Sequence, residues 1–301
     1  MDQQGGSRAD IRDFLVSRRA KVTPEQAGLP SGSRRRVPGL RREEVAVLAG
    51  VSTEWYTRLE KGHISGVSED VLGAVAQALQ LDEDERTHLF DLARSARAPR
   101  RRPARRKDVP VPPRVQWLLD SATMSAGFVR NGRLDVIAHN ALTRAVHAPL
   151  FASDTTARHG RANFARFHFL DPVAADFFLD WEAGARATVA LLRAEAGRHP
   201  DDPGLRELVG ELSTLSPEFR TMLATHDVLI RHDGTKRLDH PEVGTLELAY
   251  QSLQLPLPGR TAYELTFYTA EPGTTSEDRL KLLASWAATH PTPADSADQP
   301  R

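Results

Sequence analysis

The sequence predicts a multi-domain protein, an all-α N-terminal domain followed by an α+β domain. Three observations carry that prediction. Before residue 95 the apolar residues recur at helical spacing. Ala98-Pro-Arg-Arg-Arg-Pro103 and Val109-Pro-Val-Pro-Pro113 cannot continue a helix and favour extended chain. Beyond them, helical segments mix with strand runs and turn signals. The expected boundaries are 1–94 for the first domain, 95–113 for a basic linker, 114–288 for the second domain and 289–301 for a disordered tail.

Asp10–Arg19 reads as a first helix with Ile11, Phe14 and Leu15 on one face, and 20–38 as a loop holding Pro24, Pro30 and Pro38. Within 39–60, Val45 and Leu48 share a helical face, and Ala46 is small enough for a second helix to cross closely. Gly50 stands where the first helix must stop, a position that favours a left-handed residue. Ser52 then caps the next helix. Tyr56 and Leu59 face inward, leaving Thr53, Glu54, Thr57 and Arg58 on the opposite side for solvent or a ligand. Two short helices joined by a tight turn, the second with a polar outward face, have the shape that reads a DNA major groove. The bland alternative is an ordinary helical hairpin, with Glu54 and Arg58 a solvated pair. Ser68 caps a further helix with Val71, Leu72, Val75, Ala76 and Leu79, and Leu81-Asp82 opens another with Leu89, Phe90 and Leu92 buried. The expected result is a five-helix bundle.

In the second half, Arg114–Ser121 is a short helix. Gly127–Arg130 and Leu134–His139 are strands flanking Asn131-Gly132, a hairpin signal. Asn140–Val146 is helical. Asp171-Pro172 opens one long helix through Arg198, followed by helices over Pro203–Ser213 and Pro217–Thr225. Strands follow over Val228–Arg231, Thr235–His240, Thr245–Gln254 and Tyr263–Thr269, with a closing helix over Glu277–Ala288. This order predicts one sheet with helices on one face.

Composition narrows the function classes. With no cysteine there is no disulfide framework, thiol catalysis or thiolate metal site. No run of about eighteen apolar residues exists to span a membrane. Met1-Asp-Gln-Gln-Gly-Gly6 has no apolar signal segment, so the cytoplasm is the expected compartment. The formal net charge of zero conceals an asymmetry. Residues 1–114 hold 22 Lys/Arg against 16 Asp/Glu, a balance of +6, and 115–301 hold 18 against 24, a balance of −6. Such a split suggests that the first half meets a polyanion. Its basic clusters are Arg34-Arg-Arg36 with Arg41-Arg42, and Arg94 through Lys107. A basic run alone reads as solvated linker. Beside a helix-turn-helix pattern, phosphate contact with a strong salt dependence is the expected role.

Residues about 35–93 resemble the lambda-repressor-like (XRE-type) helix-turn-helix domain, through Leu40-Arg-Arg-Glu-Glu-Val-Ala46 and Val51-Ser-Thr-Glu-Trp-Tyr-Thr-Arg-Leu-Glu60. The resemblance implies that Thr53, Glu54, Thr57 and Arg58 meet base edges and that Ser52 and Arg42 lie near phosphates. Arg42 stands where that family often has Gln, and Tyr56 where it has Ile or Val. With the basic positions Arg36, Arg41 and Lys61, these residues make up the expected DNA-binding set.

The second half carries Leu134-Asp-Val-Ile-Ala-His-Asn140, Phe169-Leu-Asp-Pro172, Asp180-Trp181 and His199-Pro-Asp-Asp-Pro203. Ser216-Pro-Glu-Phe219, His226-Asp227, Gly234-Thr-Lys236, His240-Pro241 and Tyr268-Thr-Ala-Glu-Pro272 follow. Together these look like the ligand-binding domain of MmyB-like transcription regulators, over about 114–285. The resemblance implies a PAS-like fold, a homodimer, double-stranded DNA as partner, and a small apolar, fatty-acid-like ligand. His139 replaces a Trp common in that family. Candidate lining residues are Phe128, Ile137, His139, Phe167, Phe169, Phe178, Trp181, Tyr250 and Phe267. The aromatic run Phe164, Phe167, Phe169, Phe177, Phe178 and Trp181 reads first as packing of the long helix on the sheet and only second as a pocket wall, since a pocket needs concavity as well as aromatic content. A domain serving only dimerisation or protein contacts is a second reading.

An enzyme is the alternative of another class. His226-Asp227, His232-Asp233 and Asp239-His240 are the acid–base or metal candidates, but their spacing fits no zinc or hydrolase motif. No Gly-rich phosphate loop or nucleophile elbow occurs. The expectation is a regulator with no catalytic residue, no metal, no cofactor and no membrane partner.

Overall fold

The computed structural model describes residues 3–30, 37, 39–64, 66–97, 110–224, 232–256 and 262–289. The chain divides into two compact units, one of 1–105, 193–206 and 221–230, the other of 106–192, 207–220 and 231–301. The strand expected over Val228–Arg231, most of the basic linker and most of the tail lie outside the described residues.

The first unit begins with α1 (Gln3–Lys21), whose Ile11, Phe14 and Leu15 are buried. Helix α2 (Arg42–Leu48) starts where the Glu44 carboxylate accepts from the Arg41 backbone N–H at 2.7 Å. Gly50 ends the turn after α2 at φ +64°, where a side chain would be strained. Helix α3 (Thr53–Glu60) is capped by Ser52, whose hydroxyl oxygen accepts from Trp55 N at 3.1 Å. Ser68 caps α4 (Glu69–Ala78) in the same way, and α5 (Glu83–Arg97) follows. The apolar faces converge on one core that includes Phe14, Leu40, Val45, Tyr56, Leu59, Leu72, Val75 and Leu89. Each of the aliphatic side chains and Phe14 contributes about 1.5–3 kcal/mol by leaving water.

In the second unit α6 (Pro113–Ser121) leads into β1 (Ala126–Arg130) and β2 (Val136–His139). The expected tight hairpin at Asn131-Gly132 opens into a wider turn. The buried Asn131 Oδ1 accepts from Arg133 N at 2.9 Å and Asp135 N at 3.0 Å, and Asp135 bridges to Asn163 rather than extending β2. Next come α7 (Ala141–Val146), α8 (Ala148–Ala152), α9 (Asp154–His159) and α10 (Phe164–Leu170). The last three have no counterpart in the sequence expectation.

The single long helix expected from Asp171 to Arg198 is a correction. It is broken into α11 (Val173–Phe177) and α12 (Trp181–Arg198). Phe178 adopts φ −93°, ψ 101° and bridges to Leu238, and Leu179 N donates to Arg237 O at 3.1 Å. Asp180 accepts from Arg237 Nε at 2.8 Å. Pairing with a distant strand overrides local helix propensity.

Helices α13 (Pro203–Leu215) and α14 (Pro217–Ala224) precede β3 (Asp233–His240), β4 (Gly244–Pro256), β5 (Ala262–Thr269) and α15 (Thr275–Thr289). The strands form one antiparallel sheet in the order β2-β1-β5-β4-β3. One face packs Phe128, Leu238, Leu246, Leu248 and Tyr268 against α7, α8, α10, α11 and α15. The other packs Val129, Tyr263 and Leu265 against Val115 and Leu119 of α6. Helices therefore cover both faces, against the expectation of one. Gly127 makes the second packing possible, because a Cβ there would lie 2.5 Å from Phe267 Cε1 and 2.9 Å from Leu119 Cδ2. Among the described residues no helix is long and apolar enough to cross a membrane.

Candidate nucleic-acid interface and aromatic core

On α3 the 3.6-residue period separates two faces. Tyr56 and Leu59 are buried, while Thr53, Glu54 and Arg58 are exposed and Thr57 is half-buried between them. Ser52 lies just before this face and Lys61, exposed, just after it. Arg36 lies outside the described residues. Arg41, Arg42 and Thr53 come together with Arg19, Val37 and Glu43 around a shallow hollow of about 300 Å³.

Glu60 is the residue that the sequence did not single out. It is 1 % exposed and takes two arginines on one carboxylate. Arg19 donates through Nε at 2.9 Å and Nη2 at 3.0 Å, and Arg42 through Nε at 3.1 Å and Nη2 at 3.0 Å. Burial alone would raise the Glu60 carboxyl above its ordinary range. The hydrogen bonds and charges of the two arginines outweigh that and hold it below. Arg42, with its side chain 48 % exposed, is thus oriented from behind while its outer edge faces solvent. Tyr56 lies against the same carboxylate, and burial, then the Glu60 charge, raises its phenol.

The nine candidate lining residues of the second unit do not form one wall. Phe128, Phe167, Phe178 and Tyr250 gather on the sheet face that meets α7, α10 and α11. Ile137 and Phe267 belong to the opposite face, beside α6. His139 packs its ring on Phe151 at 4.8 Å. Phe169 and Trp181 lie apart from the sheet, in edge contact with each other at 5.9 Å, and Phe169 meets Phe219 at 5.0 Å. Trp181 Nε1 donates to His168 O at 3.1 Å. Phe169 lines an open cleft of about 680 Å³, whose other walls include Ser153, Asp154, Arg158, His159 and Glu211.

Buried neutral polar groups organise this unit. Asn140 Oδ1 accepts from Gly127 N at 3.1 Å and Thr143 N at 2.9 Å, and its amide donates towards Leu119 O, Ala122 O and Ser125 O. His240 Nε2 donates to Ala145 O at 2.9 Å and its Nδ1 accepts from Glu242 N at 3.2 Å. His147, which carried no signal in the sequence, is fully enclosed by aromatic rings, and burial holds its imidazole down at about 4. His168 is held down to about 4 for the same reason.

Of the acid–base candidates, His226-Asp227 lie outside the described residues. His232, Asp233 and Asp239 are exposed, and His240 is committed to structural hydrogen bonds. Among the described residues no group of three His, Cys, Asp or Glu could hold a metal ion.

Two family models match the chain. A helix-turn-helix domain matches residues 17–89. The MmyB-like transcription regulator ligand binding domain matches residues 111–283, more than half of the chain. No curated protein matches it in sequence.

Proposed function

The chain belongs to the MmyB-like transcription regulators with a helix-turn-helix DNA-binding domain, and on that premise we propose how the two activities divide among its residues. Thr53, Glu54, Thr57 and Arg58 read base edges in the major groove, Arg58 donating to guanine and Glu54 accepting from cytosine. Arg41, Arg42, Ser52 and Lys61, with Arg36 and the basic run 94–107, hold phosphates. The observation that carries this is the two-faced α3, with its polar side chains exposed and Tyr56 and Leu59 buried behind them. The hollow beside Arg41, Arg42 and Thr53 suits a backbone phosphate.

The second unit is PAS-like and binds a small apolar ligand. The protein acts as a homodimer on a two-fold symmetric operator, in the cytoplasm on the nucleoid. The ligand switches DNA binding by favouring one of two states.

Gel shift at low salt tests the assignment. Thr57→Ala with Arg58→Ala should abolish preference for the protein's own promoter over random DNA. Preference surviving in that variant sinks the assignment of α3. Neutralising Arg100 to Lys107 should weaken binding to all sequences and flatten the salt slope.

A further inference from the structure

We propose that α6 is the seam of a homodimer, packing antiparallel on the α6 of a second copy of this chain through Trp117 and Leu118. This rests on the homodimer reading above and gives it a surface.

Helix α6 has one face in the core and the other in solvent. Val115 and Leu119, four residues apart, are buried against Val129, Tyr263 and Leu265 of the sheet. On the outer side Trp117 is 70 % exposed and Leu118 is 51 % exposed. An outer helix face is ordinarily polar, and a Trp beside a Leu is the kind of anchor around which protein interfaces are built. The apolar surface continues onto the sheet. Leu253 of β4 pairs with Leu265 of β5, so the two share the face on which α6 packs, and Leu253 is exposed as well.

The charges of α6 identify the occupant. Arg114 stands in its first turn and Asp120 in its last, both exposed. Each has the sign that its own end of the helix dipole disfavours. An antiparallel copy corrects both at once. With the two-fold axis between Trp117 and Leu118, Arg114 lies beside the C-terminal end of the partner's α6, where the partner's Asp120 stands, and Asp120 lies beside the partner's Arg114. A parallel copy would set like charges together. The chain before α6 fits the same arrangement. Helix α6 starts at Pro113, and an antiparallel seam sets the two N-termini about 14 Å apart, the length of its 9 residues. From there residues 98–112 reach no more than about 54 Å in any conformation, which suffices for two DNA-binding domains to take half-sites about 34 Å apart.

Analytical ultracentrifugation of the full-length protein at micromolar concentration tests this. The parent should sediment as a dimer. Trp117→Glu should weaken the dimer about a hundredfold, with a circular-dichroism spectrum like the parent's. Arg114→Glu and Asp120→Arg each act twice across the two-fold axis and should each weaken it about tenfold. The two together should restore it, a rescue that a merely damaged helix would not show. The chain has no cysteine, so single introduced cysteines report the direction of packing. Leu118→Cys, beside the axis, should form an interchain disulfide on oxidation. Ser121→Cys, about 10 Å from its copy along the helices, should not. Ser121→Cys cross-linking as readily overturns the antiparallel seam. A dimer unmoved by Trp117→Glu overturns the α6 surface and leaves the homodimer reading standing. A parent that stays monomeric overturns both.

Discussion

The two units differ in the polar groups gathered at their candidate sites. In the first, the candidate reading residues stand exposed on α3, fixed from behind by a charged hub in which Arg19 and Arg42 share Glu60. In the second, the buried polar centres Asn140, His147 and His168 are held uncharged inside an aromatic and aliphatic core. Chemistry explains the contrast. A surface that meets phosphates and base edges needs free donors, and a carboxylate behind them can stay ionised only if cations surround it. A core without counter-ions can hold polar atoms only in uncharged form.

The largest effect should come from breaking the charged hub. Glu60→Gln keeps the volume but leaves Arg19, its side chain 15 % exposed, without a counter-ion. Removing one partner of a buried ion pair costs about 3 to 5 kcal/mol. Amide hydrogen exchange read peptide by peptide should show α2, α3 and α4 losing protection while the sheet keeps its own. Equal protection in the variant would mean that the hub is ornamental and that the contrast between the units is false.

The hub also marks what the sequence could reveal. The face of α3 was legible because its cap, its turn glycine and its period are local, within a dozen residues. Glu60 was not, since its first partner lies 41 residues earlier. The break at Phe178 to Asp180 was hidden for the same reason, as it depends on pairing with Arg237 and Leu238 in a strand read separately. The aromatic candidates failed to form one wall because a strand's faces alternate by one residue. Phe128 pairs with Thr266 and Gly127 with Phe267, which places Phe128 and Phe267 on opposite faces. Only the register, which the sequence does not contain, separates them.

Acid should reach the neutral core before the hub. His147 is lowered from 6.5 to about 4, so below pH 6.5 the unfolded chain takes a proton that the native ring refuses. Its stabilisation is present above 6.5 and disappears as pH falls towards 4, and His168, lowered likewise to about 4, adds in the same direction. Each contributes roughly 3 kcal/mol as an upper bound at 1.36 kcal/mol per pH unit. Glu60 behaves oppositely in kind. Its carboxyl lies below its ordinary value, so its contribution is present above that ordinary value and lost only as pH falls through the lowered one. Urea unfolding of the full chain followed through the sheet signal should therefore weaken between pH 6.5 and 4, and less so in His147→Phe. A flat profile would show that burial does not keep these rings neutral.

The smallest effect sharpens the comparison most finely, because it sets one job in both environments. Ser52 and Asn163 each cap a helix, accepting from Trp55 N at 3.1 Å and Arg166 N at 2.9 Å. Ser52 is exposed, so when its oxygen is removed water reaches the freed N–H, and Ser52→Ala should cost about 1 kcal/mol. Asn163 is 1 % exposed, and its amide also donates to Arg133 O at 2.8 Å and Asp135 Oδ1 at 2.7 Å. Asn163→Ala removes three hydrogen bonds at once, to the partly buried Arg166 N, Arg133 O and Asp135 Oδ1, and should cost about 2 kcal/mol or more. Hydrogen exchange of α3 in one variant and α10 in the other measures both costs in the same protein. If the two are equal, burial is not what separates the units, and the difference between them reduces to which residues happen to be charged.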